Sequence, residues 1–318
     1  MSLRIIGTGK GIPDRCVTND EIAGFIDTSD AWIASRTGIK SRYICTSETL
    51  TDLSSAAARQ AIDQAGLAPG DIGMVIASTI GGDFRTPSLA SCVSERIGVR
   101  CPAFDVNAAC TGFIYALNIA SGFLSAGQAD YILLVCAERM SAYTDWSDRN
   151  TCVLFGDGAA ACVVARGDAL RYIRLSAAEA DTTILNLPLG AGNSPFIDGK
   201  QESGFLHMQG QEVFKFAVNV VEAEMKHALQ VLGMLPEQID WFLLHQANKR
   251  IIDSIRTKLK QPEGKFPINI DRYGNISSVS IPLLLSEMLE DGMVKAGDAL
   301  FMCAFGAGLT AGSCVMVW

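Results

Sequence analysis

Cys110 stands in the stretch DVNAACTGF, Asp105–Phe113, where a short apolar segment ends and an amphipathic one begins. A cysteine just ahead of a helix meets unpaired backbone N–H groups and the positive end of the helix dipole. Both favour the thiolate, so the position predicts a nucleophile with a lowered pKa. Taken alone, one of ten cysteines is more often a small core hydrophobe, so the assignment needs partners from elsewhere in the chain. The histidines are three: His207, His227 and His245. His207 falls in a loop-like region, and His227 lies inside the long helical pattern that begins near Gln211. His245 closes the apolar run IDWFLLH and precedes QANKR, which predicts a place at a strand's C-terminal end, where α/β sheets carry binding groups. Asn275 in DRYGNISS follows a glycine in a tight-turn pattern, and Ser277 and Ser278 open another helix.

Composition narrows the classes. A chain of 318 residues can form one large domain or two ordinary ones, and a net charge of −8 argues against general nucleic-acid binding. Ten cysteines at irregular spacing, with no CxxC pair, fit neither a disulfide framework nor a zinc site. Cys136 in ILLVCAE and Cys303 in ALFMCAF read as reduced core thiols of a cytosolic protein. The N-terminus enters RIIGTG without a secretory pattern, and no apolar stretch approaches the roughly 18 to 20 residues of a membrane helix.

The elements that must position these residues are predicted from periodicity. Arg4–Gly9, Ile72–Ser78, Pro102–Val106 and Tyr131–Cys136 read as strands. Leu53–Ala65, Ser88–Ile97 and Gln211–Leu232 read as helices, and Phe113, Ile114, Leu117, Ala120 and Leu124 form an apolar stripe after Cys110. Apolar runs alternating with helices indicate an α/β fold with buried sheets. The stretch Pro188–Gly204, rich in Gly, Pro, Ser and Asn, predicts a long loop over a site. Three segments repeat in order: residues 62–79 match 229–246, ADYILLVCA resembles GDALFMCA, and FGDGAAACVVA resembles FGAGLTAGSCVMV. This predicts two duplicated halves, residues 1–170 and 171–318, with a site where they meet. The partners of Cys110 should then come from the second half.

The motifs DVNAACTGF, HQANKRI, DRYGNIS and AFGAGLTAGS, with GTGKGIPDRCVTN, TSDAWIASRTGI and SDRNTCVLFGDGAA, resemble those of the β-ketoacyl-acyl-carrier-protein synthase III family of the thiolase superfamily. The resemblance covers nearly the whole chain. It implies a thiolase-like fold, two α/β halves with buried mixed sheets and layered helices, and a catalytic triad of Cys110, His245 and Asn275. The implied reaction is decarboxylative condensation of an acyl-CoA primer with malonyl-acyl-carrier protein through an acyl-cysteine, starting fatty acid synthesis. A thiolate stores the acyl group, while neutral imidazole and carboxamide donate to the forming enolate oxygen without adding negative charge.

The resemblance also implies an oxyanion hole from the backbone N–H groups of Cys110 and Ala307. It places Trp32 and Arg149 on the adenine of coenzyme A, with Thr28, Arg36, Phe214 and Asn248 along the same tunnel. Lys215, Arg250 and Lys258 would receive the acidic carrier protein, and Arg256 and Lys260 add to a local positive patch. No metal or tightly bound cofactor is implied; coenzyme A enters as the substrate thioester. A cytoplasmic homodimer is implied, with neither nucleic acid nor membrane as partner. Three departures bear on the primer rather than the chemistry: Thr86 precedes the proline of RTPSLAS where relatives often carry Phe, Ala307 makes GAG of a common GGG, and Ala311 replaces a frequent Trp. The alternative is a related acyltransferase or polyketide-priming ketosynthase with the same triad. A non-catalytic subunit is disfavoured by the intact Cys, His and Asn.

Overall fold

Strands that read as unbroken apolar runs need cover on both faces, and helices supply it here. A computed structural model of the chain describes residues 3–178, 181–189 and 204–318. Of the loop expected at Pro188–Gly204, residues 190–203 lie outside the described residues. In chain order, β1 (Arg4–Gly11) is followed by β2 (Arg15–Thr18), α1 (Asn19–Ala23), α2 (Asp30–Thr37), β3 (Ser41–Ile44), α3 (Leu50–Gln64), β4 (Met74–Ser78) and α4 (Leu89–Ile97). Next come β5 (Ala103–Val106), α5 (Gly112–Ser125), β6 (Tyr131–Arg139), β7 (Asp157–Ala165), β8 (Leu170–Ala177) and the short pair β9 (Leu185–Asn186) and β10 (His207–Met208). The chain ends with α6 (Gly210–Leu232), β11 (Trp241–Leu244), α7 (Lys249–Leu259), α8 (Ile270–Tyr273), α9 (Ser280–Glu290), β12 (Ala299–Gly306) and β13 (Thr310–Val317).

Two mixed sheets carry the fold. One has the strand order β1-β7-β6-β4-β5 and the other β11-β12-β13-β8. In the first, β5, β4 and β6 run parallel and β7 is antiparallel to β6; in the second, β11 and β12 run parallel and β13 is antiparallel to β12. α3 and α4 cover the outer face of the first sheet, packing Ala57, Ala61 and Val93 on Val75, Leu133 and Ala161. α6 and α7 cover the outer face of the second, where Val221, Met225 and Ile255 meet Phe242 and Phe301. α5 and α9 lie between the sheets in one shared core, which includes Phe113, Leu117, Leu284 and Met288. The layers therefore run helices, sheet, helices, sheet, helices, the α/β thiolase-like arrangement that the resemblance implied.

Local chemistry sets the element ends. Thr18 and Thr49 each close a capping box, with Glu21 and Asp52 respectively, so α1 and α3 begin where a hydroxyl and a carboxylate replace the missing backbone partners. All ten cysteines are free. The reading as core thiols holds for Cys45, Cys136, Cys152, Cys162, Cys303 and Cys314, whereas Cys16, Cys92, Cys101 and Cys110 are partly exposed.

The contact of β1 with α3 depends on glycine. A strand repeats its facing side chains about every 6.6 Å and a helix advances about 6 Å in four residues, so the two can stay in step. Gly7, Gly9 and Gly11 face the carbonyls of Ala61, Ala57 and Leu53, and a Cβ at any of them would sit inside van der Waals contact with that backbone. Gly9→Ala is expected to push β1 off α3 and cost about 1–3 kcal/mol, read as a lower urea midpoint. In Gly122→Ala on α5 the new Cβ meets nothing within 4 Å. That change is expected to leave stability unchanged or raise it by up to ~1 kcal/mol.

Candidate active site

β5 ends at Val106, and a single 3-10 turn, Ala109–Thr111, turns the chain into α5 with Cys110 at its centre. Ala109 has φ +45°, a left-handed conformation that few non-glycine residues adopt. Side chains on either side hold the turn: Asn107 Oδ1 accepts the Ala109 N–H at 3.3 Å, and the Thr111 hydroxyl donates to Ala108 O at 2.5 Å. From the second sheet, Gly306 at the end of β12 closes on the turn so tightly that an added Cβ would lie 3.1 Å from Cys110 N and Cβ.

His245 directly follows β11, as expected, and its N–H donates to Cys303 O at 2.9 Å, extending the parallel pairing with β12 by one residue. Its ring meets Phe305 edge-on at 5.2 Å, and Nδ1 lies 3.2 Å from Ser280 Oγ. Asn275 follows Gly274, whose φ of +66° and closeness to Leu154 O suit a residue without Cβ. The Asn275 N–H donates to Leu154 O at 2.8 Å, and its Oδ1 accepts the Ser277 N–H at 2.9 Å. With the oxygen engaged, the carboxamide NH₂ is the end available to a substrate.

The structure adds residues that sequence reasoning missed. Ser277, a non-glycine residue at φ +51°, directs its hydroxyl at Cys110 Sγ (3.4 Å) and at Glu138 Oε1 (3.1 Å). A hydroxyl carries one hydrogen, so it serves one of the two acceptors at a time. Glu138, on β6, is fully buried and also accepts from Ser278 Oγ at 2.8 Å and the Ile80 N–H at 3.1 Å. The available signal was a carboxylate ending the apolar run ILLVCAE. Nothing in the sequence distinguished Ser277 from Ser278, since both belong to a polar turn before a helix.

Desolvation dominates the electrostatics. Burial pushes the Cys110 thiol up to about 12, with the Ser277 hydrogen bond opposing and the Glu138 charge reinforcing the rise. This corrects the expectation of a lowered pKa. A shift of this size weighs roughly 4 kcal/mol against the thiolate, more than the at most ~2 kcal/mol a helix N-terminus returns. Burial holds His245 down to about 3, so its imidazole is neutral. Burial also raises the Glu138 carboxyl to about 7, against the pull of the Ile80, Ser278 and Ser277 hydrogen bonds.

Cys110, His245, Asn275, Ser277 and Ala307 line one cavity of about 1070 Å³. Phe214 and Asn248 also line it, as do Leu187, Pro188 and Gly204, which flank residues 190–203. The other expected coenzyme A positions lie outside the lining. Arg149 Cζ covers the Trp32 ring at 4.6 Å from its centroid, and Arg149 Nη1 donates to Asp27 O at 3.0 Å. A flat ring between Trp32 and Arg149 would need about 7 Å, two contacts of about 3.5 Å, so the pair must separate to take an adenine between them. Thr28 Oγ1 is buried with no hydrogen-bond partner among the described residues. Arg36 is exposed, and its carbonyl accepts from Asn248 Nδ2 at 3.2 Å. Lys215 and Lys258 are paired with Glu212 (2.8 Å) and Glu222 (2.9 Å), while Arg250 is exposed in the first turn of α7. Thr86 is exposed and does not line the cavity, although Phe84 and Arg85 just before it do. Among the described residues, no three of His, Cys, Asp or Glu are grouped to hold a metal ion, and no helix is long and apolar enough to cross a membrane.

Comparison with known proteins gives the geometry its relatives. Residues 104–181 match the family described as 3-oxoacyl-(acyl-carrier-protein) synthase III, and residues 229–318 match its C-terminal family. The chain is 44% identical over 321 residues to the β-ketoacyl-acyl-carrier-protein synthase III of Clostridium acetobutylicum, covering 100% of this chain and 99% of that one. The crystal structure of 3-oxoacyl-acyl-carrier-protein synthase III from Aquifex aeolicus superposes with a TM-score of 0.92 at 39% identity, over 99% of this chain and 100% of that one. The priming β-ketosynthase of the R1128 polyketide pathway superposes with a TM-score of 0.90 at 33% identity, over 99% and 96% of the two chains.

The depressed His245 value carries a sign for stability. Below its ordinary pKa of 6.5 the unfolded chain takes up a proton that the folded chain refuses, so this group's contribution is complete above that pH and is lost as pH falls toward about 3. His245→Gln is therefore expected to lose less stability than the parent between about pH 7 and about pH 4, by roughly 3 kcal/mol. Urea midpoints of both proteins at the two pH values check this; equal losses would mean that the folded imidazole takes up its proton as easily as the unfolded one.

Proposed function

The chain belongs to the 3-oxoacyl-(acyl-carrier-protein) synthase III family and is a condensing acyltransferase, a β-ketoacyl synthase; on that premise we propose that Cys110 carries the acyl group between two half-reactions. In the first, the Cys110 sulfur attacks the thioester carbon of an acyl-CoA. Backbone N–H groups of Cys110 and Ala307 receive the oxyanion, and coenzyme A leaves. In the second, malonyl-acyl-carrier protein enters the same cavity and loses CO₂. The resulting carbanion attacks the acyl-cysteine to give the β-ketoacyl product. The observation that supports this reading is the convergence of Cys110, His245 and Asn275 on one cavity.

His245 and the Asn275 carboxamide donate to the malonyl thioester oxygen, where charge builds as CO₂ departs. His245 does this as a neutral donor through Nε2, which requires Nδ1 to accept. The Ser280 hydroxyl, now given to Ser277 O at 2.9 Å, reaches Nδ1 by rotating. Phe214 and Asn248 flank the path of coenzyme A, with Trp32, Arg149, Arg36 and the unpartnered Thr28 hydroxyl farther out. Lys215, Arg250 and Lys258 receive the carrier protein. Exposed pairs such as Lys215–Glu212 hold only about 0–1 kcal/mol each, so exchanging them for the carrier's carboxylates costs little. The protein acts without a tightly bound cofactor, as a cytoplasmic homodimer of chains built from duplicated halves 1–170 and 171–318. Thr86, exposed in the single chain, reaches an acyl pocket only across the dimer contact.

Intact-protein mass spectrometry after incubation with a panel of acyl-CoAs tests the assignment. One adduct is expected on the parent and none on Cys110→Ala; an adduct on that variant would sink it. Asn275→Ala is expected to keep the adduct while losing condensation roughly 10²–10³-fold. Longer or branched primers are expected to acylate because of Thr86, and strict acetyl preference would remove Thr86 from the pocket.

A further inference from the structure

The acylation step needs a group to take the Cys110 proton, and among the described contacts neither His245 nor Asn275 is hydrogen-bonded to the sulfur. The thiol is neutral at rest, and His245 is held far below neutrality, with its described polar ring contact to Ser280. Among the described residues the side chain hydrogen-bonded to Sγ is Ser277, and behind it lies the buried Glu138 carboxyl. Its described hydrogen-bond partners, Ser277, Ser278 and the Ile80 N–H, are all uncharged donors. A buried carboxylate without a cation is expensive to keep unless something uses it. The left-handed backbone of Ser277, at φ +51°, is what sets its hydroxyl between sulfur and carboxyl.

Resting on the reading of Cys110 as nucleophile, we propose that Glu138 receives the Cys110 proton through the Ser277 hydroxyl as the acyl-enzyme forms. When Glu138 is ionised, the Ser277 hydrogen goes to the carboxylate, and the Cys110 thiol hydrogen points at Ser277 Oγ. As the sulfur lone pair forms the bond to the thioester carbon, the S–H proton passes to Ser277 and the Ser277 proton to Glu138. The carbon–sulfur bond to coenzyme A then breaks, and the departing thiolate takes a proton back along the same relay. The net change is exchange of one thioester for another, with no proton gained or lost. Full transfer from a resting thiol near 12 to a carboxyl near 7 is unfavourable, so the proton moves only as sulfur spends its charge on the new bond.

The sign of the pH dependence follows. Glu138 must be ionised to accept, so acylation falls as pH drops through the carboxyl's value of about 7. The titratable groups that feel its charge are Cys110 from the nucleophile turn, Cys136 on its own strand and Tyr143 beyond the strand's end; Arg139, its neighbour in sequence, acts on Tyr143 in the opposite sense.

Single-turnover acylation by a straight-chain acyl-CoA that acylates the parent, followed from about pH 5.5 to about pH 9, tests the relay. The parent is expected to show an inflection near neutrality. Glu138→Gln is expected to slow acylation roughly 10²-fold, to lose that inflection, and to slow malonyl-carrier-protein decarboxylation at least tenfold less. Glu138→Asp should restore the inflection and part of the rate. Ser277→Ala, which deletes the hydroxyl without touching the buried carboxyl, should lose the inflection too, and it decides the matter if Glu138→Gln does not fold. Acylation by either folded variant within about twofold of the parent, or a slowed rate with the inflection intact, overturns the proposal. An adduct on Cys110→Ala would instead overturn the nucleophile itself.

Discussion

Two helices enclosed between two sheets can bring chemistry together only at their ends, and the site depends on how closely the start of α5 packs against β4, β12 and the turn before α9. Gly112 opens α5 where any Cβ would collide with Ser78 Oγ and come within 3.4 Å of Ser278 Cβ. A side chain there would push the start of α5 off β4 and shift the turn that carries Cys110. Gly306 sets the same limit from β12. On the proposed reading, the oxyanion of acylation and the enolate of decarboxylation would appear in turn in the cavity that Cys110, His245 and Asn275 line. Fixed N–H groups and dipoles already oriented toward that charge need no rearrangement during reaction.

The same enclosure sets the protonation states. Removing water from three neighbouring groups lifts the Cys110 thiol, lifts the Glu138 carboxyl and depresses the His245 imidazole. Each shift favours the uncharged form of its group, so desolvation works against a resting thiolate and a resting imidazolium and leaves the Glu138 carboxyl near its midpoint at neutral pH. A resting thiolate or imidazolium in this setting would carry the full desolvation cost of a buried charge. A carboxyl poised near neutrality can accept a proton and return it without holding a permanent negative charge.

Much of this was readable from the sequence, for identifiable reasons. Apolar runs without alternation gave the buried strands, and the ordered repeat led the search for the partners of Cys110 into the second half of the chain. Cys110 before α5, His245 after β11 and Asn275 after Gly274 occupy the local settings that their neighbours predict. The thiol pKa was read in the wrong direction because a helix field is local and visible in sequence, whereas desolvation depends on every element packed around the sulfur. Glu138 stayed hidden because it follows the ordinary core residues 132–137 on the same strand, and its three donors come from residues at least 58 positions away. Trp32 and Arg149 share a surface, but their direct contact comes from a pairing across more than a hundred residues that no local pattern encodes.

Backbone strain ties these levels together. Ala109 precedes Cys110 in sequence and Ser277 touches its sulfur, and both hold positive φ without being glycine. Each such residue costs on the order of 1–3 kcal/mol, a sizeable share of a domain's net stability, and persists only where its surroundings over-determine it. Glycine at either position would remove the strain but widen the conformations open to the turn. At Ser277 the hydroxyl itself explains why glycine would not serve. Ala109 contributes no polar atom, so its strain is better explained by the backbone: alanine narrows the wells available to the turn that presents the Cys110 N–H. The orientation of one N–H group and one hydroxyl, rather than any ion pair, is what the fold's packing energy is used to hold.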